Sequence, residues 1–157
     1  MLSILVVFVT STLAVDTCIL TDRSKGKSYN FTGGAKLAET QGYTYKSESY
    51  GFEAYLSFCT PIDGAKIGCK AALPKNTLGV YKYDDGRCVS LGNTQAVTAG
   101  DDPYVTYSGG GKCDLGRTSS ASVSFTCDKS AGVGEMTYFR FNEFCILNAF
   151  ATSDMTC

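Results

Sequence analysis

Eight cysteines commit this sequence to a chemistry: Cys18, Cys59, Cys69, Cys88, Cys113, Cys127, Cys145 and Cys157. No two of them form a Cys-x-x-Cys pair, the close spacing that zinc ribbons and thioredoxin-type redox sites require. An even set spread along the chain behind an apolar leader instead predicts four disulfides made in an oxidising compartment. Sequence alone leaves roughly a hundred pairings of eight cysteines open. Histidine is absent, which removes imidazole as general base, as partner of a nucleophile and as zinc ligand. No paired nucleophile and base emerges among the remaining side chains. A carboxylate pair such as Glu135 with Glu143 is the one arrangement that would support hydrolysis, of glycosides. The reading is a non-enzyme with no cofactor and no metal.

Charge and length narrow the class further. The 157 residues carry a formal net charge of -1, with 18% charged and 44% hydrophobic residues. That balance excludes disorder and a nucleic-acid footprint. Residues 1–14, MLSILVVFVTSTLA, hold no charge, an apolar run over Leu5 to Val9, and small residues at Thr12 and Ala14, as in a signal peptide cleaved after Ala14. A bilayer span needs about 20 apolar residues, and no segment supplies them. Residues 15–157 then make a single secreted or endomembrane-luminal domain, with no linker or charge block to divide it.

The elements that must position these residues read as strands. Segments rich in β-branched and aromatic residues recur at Ser28 to Phe31, Glu53 to Phe58, Gly79 to Tyr83, Val105 to Tyr107, Ala121 to Phe125 and Thr137 to Phe141. Ser120-Ala121-Ser122-Val123-Ser124-Phe125 alternates strictly, the period of a strand with one wet face. Turn residues separate them at Gly33-Gly34, Asp84-Asp85-Gly86, Asp101-Asp102-Pro103 and Gly109-Gly110-Gly111. Short helices are expected only over Gly34 to Gln41 and Asn148 to Asp154. The rhythm is that of an all-β sandwich or barrel.

Several cysteine contexts, taken in order, resemble the mannose 6-phosphate receptor homology (MRH) domain. Cys18 with Gly26-Lys27-Ser28-Tyr29-Asn30-Phe31 and Leu37 resembles its opening cysteine and first strand. Tyr55-Leu56-Ser57-Phe58-Cys59-Thr60-Pro61 resembles its strand ending in Cys-x-Pro, and Gly64 to Lys70 the segment bearing a sugar-binding glutamine. Tyr107 to Cys113 with Arg117, and Ser122 to Asp128, resemble its most specific block, while Cys145 and Cys157 resemble its terminal pair. The resemblance spans Cys18 to Cys157. It implies an all-β, flattened barrel or sandwich of two antiparallel sheets. It also implies the pairs Cys18–Cys59, Cys113–Cys145 and Cys127–Cys157, leaving Cys69–Cys88.

Lectins of this family hold a mannose ring with a glutamine, an arginine, a glutamate and a tyrosine. Arg117 falls at the arginine, where a guanidinium fork would donate to adjacent hydroxyls. Glu143 falls at the glutamate, with Glu135 as the alternative. Lys70 stands where the glutamine is expected and Leu147 where the tyrosine is, so Tyr107 or Tyr138 would have to supply the missing hydroxyl. The resemblance thus implies a lectin-like domain for mannose-type glycans or glycoproteins, its carbohydrate site built on Arg117, Glu143 and Lys70. The alternative is a non-sugar-binding structural or protein-interaction module on the same scaffold. Bland readings compete: an exposed ion pair for Arg117 with Glu143, and a solvated strand residue for Lys70.

Other signals are local. Asn30-Phe31-Thr32 is a complete N-glycosylation sequon. Gly33-Gly34-Ala35-Lys36 lacks the full spacing of a phosphate loop, and the Asp-rich turns lack an EF-hand register.

Overall fold

The computed structural model describes residues 17–37, 43–47, 51–142 and 144–157; the expected leader, 1–14, lies outside them. A hairpin of β1 (Ile19–Asp22) and β2 (Lys27–Asn30) opens the fold and leads into a short helix, α1 (Thr32–Leu37). Strands β3 (Tyr43–Ser47), β4 (Phe52–Leu56), β5 (Gly79–Tyr83) and β6 (Cys88–Gly92) form a four-stranded antiparallel sheet in chain order. A five-stranded sheet contains β7 (Thr94–Thr98), β8 (Tyr104–Ser108), β9 (Ser120–Cys127), β10 (Glu135–Phe141) and β11 (Ile146–Ser153), in the order β10-β11-β9-β8-β7. The two sheets stack as a sandwich without closing into a barrel.

Four expectations are corrected here. The five-stranded sheet is mixed, because β11 returns between β10 and β9 and runs parallel to β9. Asn148 to Asp154, expected as a helix, is the second half of β11 followed by a 3-10 turn at Asp154–Thr156. Leu147, Ala149, Ala151 and Ser153 are buried while Ile146, Asn148, Phe150 and Thr152 face outward. Asn and Ala are weak strand formers, but a ladder on each side leaves the backbone no other partners. The first helix starts two residues earlier than expected. The chain enters it through an Asx turn at Asn30, whose Oδ1 accepts from the Thr32 amide at 3.0 Å. Gly33 and Gly34, expected as a turn, lie inside it: a Cβ on Gly33 would strike the Val133 side chain, and one on Gly34 would lie 2.9 Å from the Phe58 ring.

Packing explains why the strands fall where they do. Inward positions of the two sheets, Phe52, Ala54, Leu56 and Leu91 from one and Val105, Tyr107, Ala121, Val123, Leu147 and Ala149 from the other, form one core. Aromatic rings fill its end. Phe58 stacks on Phe31 at 4.7 Å between centroids and meets Tyr43 edge-on at 5.6 Å, the arrangements that ring quadrupoles favour. A satellite core of Tyr55, Val80 and Ile67 lies on the opposite face of the four-stranded sheet, where Cys69–Cys88 ties the covering loop to β6. The opening hairpin is latched to the end of β7. The buried Asp22 carboxylate accepts from the Ala99 amide at 2.8 Å, and from the Ser24 amide and hydroxyl at 2.8 and 2.6 Å.

Candidate functional site

The disulfides join Cys18 to Cys59, Cys69 to Cys88, Cys113 to Cys145 and Cys127 to Cys157. Each is a pair that the resemblance implies. Two of them build the site region. Cys113–Cys145 staples the turn carrying Arg117 to the residue that precedes β11, and the turn is closed by Cys113 N–H to Arg117 O at 3.0 Å and Gly116 N–H to Cys113 O at 2.8 Å. Cys69–Cys88 holds the segment carrying Lys70 against the β5–β6 turn, where the Lys70 amide donates to Gly86 O at 3.0 Å.

An ion-pair tie connects these two pieces. Arg87 donates to Asp85 at 2.6 Å within the β5–β6 turn and to Asp114 at 2.9 Å in the Arg117 turn, with its guanidinium 4.5 Å from the Tyr83 ring centroid. The hydrogen bonds from Arg87 hold the Asp85 carboxyl below its ordinary range. Lys70 and Arg117 therefore lie on two segments that Arg87 ties together. The Lys70 methylenes lie over Gly86, where a Cβ would touch them at 3.3 Å, and the residue is exposed. Arg117 is exposed and stacks over Phe144, 4.9 Å from centroid to guanidinium carbon. Stacking occupies the face of the guanidinium and leaves its in-plane N–H groups to donate. Leu115 and Phe144, 64% and 49% exposed, complete an apolar and cationic edge.

The other expected site residues do not all arrive here. Leu147 is fully buried in the inter-sheet core. Tyr107 is buried as well, and its hydroxyl donates to Ser57 O at 3.1 Å, so it cannot replace the missing tyrosine. Burial pushes its phenol well above the ordinary tyrosine range. Glu135 opens β10 beside Thr152, at the opposite end of the strand from Asn142, roughly 20 Å away at about 3.4 Å per residue. It therefore lies far from Asn142. Glu143 and the Tyr138 side chain lie outside the described residues. Among the described residues no cluster of acidic or sulfur ligands could hold a metal. Asn30 is exposed on β2. Arg87, Asp114 and Phe144 were missed by sequence reasoning, although their placement next to cysteines and in an Asp-Asp-Gly-Arg turn was a usable signal.

No protein-family model matches the chain, and a sequence search of curated proteins finds no match. The three-dimensional structure does find similar folds. Domain 11 of the echidna mannose 6-phosphate/IGF2R receptor, a solution structure, superposes with a TM-score of 0.66 at 18% identity, covering 89% of this chain and 94% of that one. The chain has the fold of the MRH domain. Chicken IGF2R domain 11 gives a TM-score of 0.63 at 18% identity over 92% of this chain and 93% of that one. Coverage of nearly the whole of both chains means that the MRH fold accounts for both sheets here. Among the described residues no helix is long and apolar enough to cross a membrane.

Proposed function

We propose that the chain is a non-catalytic, secreted or endomembrane-luminal recognition domain that takes a mannose-type glycan, or a glycoprotein bearing one, on the rim formed by Lys70, Arg117 and Glu143. The supporting observation is that Arg87 ties the Lys70 segment to the Arg117 turn through Asp85 and Asp114. Two segments far apart in sequence are thereby held together. Pyranose hydroxyls need directional donors and acceptors, which an in-plane guanidinium and a carboxylate supply. Four disulfides and the MRH fold support the oxidising compartment. An N-linked glycan at the exposed Asn30 belongs to the same proposal.

A second reading rests on a different observation. Leu147 offers no hydroxyl partner, and Leu115 and Phe144 are exposed beside Arg117. Such an aromatic, leucine and arginine group suits a protein partner. A glycan panel containing high-mannose and mannose 6-phosphate structures separates the two. Capture by the panel that is lost in an Arg117→Ala, Glu143→Ala variant supports the glycan site, and capture retained by that variant overturns it. Folded protein that binds no glycan leaves the protein-partner reading, tested by whether Leu115→Ser, Phe144→Ser abolishes capture of a deglycosylated partner.

A further inference from the structure

The opening hairpin turns one face away from the core, and that face carries Asn30 of the Asn30-Phe31-Thr32 sequon. Leu20, Asp22 and Tyr29 point inward, while Ile19, Thr21, Ser28 and Asn30 are exposed. Register places Ile19 opposite Asn30 and Thr21 opposite Ser28. The Phe31 amide donates to Cys18 O at 2.7 Å, so Cys18 and Phe31 are a hydrogen-bonded pair. Ile19 and Asn30 beside them are then of the closer kind, with Cα atoms about 4.5 Å apart. Thr21 and Ser28, two residues along, show the same closeness, since their hydroxyls bond at 2.7 Å. Ile19 is 54% exposed, which leaves more than half of an apolar side chain open to water.

Asn30 stands on a rigid mount. Its neighbour Phe31 is fully buried and stacked on Phe58, and Cys18–Cys59 anchors the residue before Ile19. Thr32 Oγ1 accepts from the Cys18 amide at 2.9 Å. The bond from the Thr32 amide to Asn30 Oδ1 fixes the side-chain carbonyl and leaves Nδ2, the atom that carries an N-linked sugar, free of the turn. A pyranose presents C–H groups as well as hydroxyls, and its width is comparable to the spacing of cross-strand side chains. A sugar on Nδ2 is therefore within reach of Ile19. Attachment directly across the ladder makes the contact intramolecular, so it does not need the affinity that a free sugar would.

We propose that the first N-acetylglucosamine of a glycan on Asn30 packs its apolar side against Ile19, making the sugar a fixed part of the hairpin and the cover of its outer face. The contact rests on Asn30 being glycosylated, as proposed above. Thermal unfolding of four proteins tests it. The parent, secreted with high-mannose glycans and trimmed by endoglycosidase to one N-acetylglucosamine, is compared with the same chain oxidised and refolded without sugar, and Ile19→Ser is prepared in both forms. The single sugar should raise Tm by about 3 °C in the parent and by less than about 1 °C in Ile19→Ser. Ile19 is exposed, so the far-ultraviolet spectrum of Ile19→Ser should match that of the parent. In the trimmed parent, nuclear Overhauser effects should join sugar protons to the Ile19 methyls. A sugar that stabilises both chains equally, that stabilises neither, or that shows no such proton contacts overturns the packing and leaves glycosylation of Asn30 intact. A secreted chain with Asn30 bare removes the glycosylation, and the contact falls with it.

Discussion

Replacing Tyr107 by phenylalanine separates a core role from a ligand-binding one. The hydroxyl of Tyr107 is buried and donates to Ser57 O at 3.1 Å, but Gln95 Nε2 donates to the same carbonyl at 2.7 Å. Removing the hydroxyl leaves that carbonyl paired and the ring in place, so neither an orphaned acceptor nor a large cavity results. One net hydrogen bond is worth about 1 kcal/mol, a fall in Tm of roughly 3 °C for a domain of this size. Gln95→Ala should cost more, about 2 kcal/mol, because Gln95 also accepts from the Cys59 amide at 2.9 Å. The pH dependence gives a second readout. Burial raises the Tyr107 phenol above its ordinary value of 10.0, so the unfolded chain releases protons in alkali while the folded one keeps this proton. Stability therefore falls as pH rises past about 10, and Tyr107→Phe should lessen that fall. Urea unfolding at pH 7 and pH 10.5, with glycan capture measured in parallel, checks all of this. Glycan capture lost from Tyr107→Phe protein of unchanged stability, or a cost beyond about 3 kcal/mol, would refute the reasoning.

Two further predictions concern the latch and the covering loop. Hydrogen bonds from Ser24 and Ala99 lower the Asp22 carboxyl from 3.8 to about 2. The stability it contributes is present above pH 4 and lost as pH falls toward 2; Asp22→Asn should melt earlier at pH 7 and lose less on acidification, as read by circular dichroism. A Cys69→Ser, Cys88→Ser variant opens a loop of sequence separation 19, costing about 3 kcal/mol by loss of the unfolded-state constraint. Hydrogen exchange should show residues 61–75 losing protection before either sheet, and uniform loss across both sheets would count against the satellite core as a separate unit.

The sequence made the strands legible where composition and packing agree. Gly79 to Tyr83 is β5 as expected, and the Ser-Ala-Ser-Val-Ser-Phe alternation is β9 with its serines outside, because a period of two with bulky alternate residues fits only a half-buried strand. Strands β6 and β7 escaped notice. Their burial patterns do not alternate cleanly, and what holds them is pairing with distant partners. At the rim, sequence supplied Lys70 and Arg117 but not their connection, since the ion pair from Arg87 to Asp114 joins residues 27 apart in the chain.

What the sequence by itself determined is therefore chemical and local: eight cysteines suited to an oxidising compartment, no imidazole for catalysis, and an all-β rhythm of alternating strands and turns. Which side chains became core and which became surface was decided only by the tertiary structure. Leu147 and Tyr107 vanish into the sandwich while Tyr104 and Phe150 flank Ser124 in the open. The physical reason is register: β11 slots parallel beside β9, and a shift of one residue would have turned every one of its side chains to the other face.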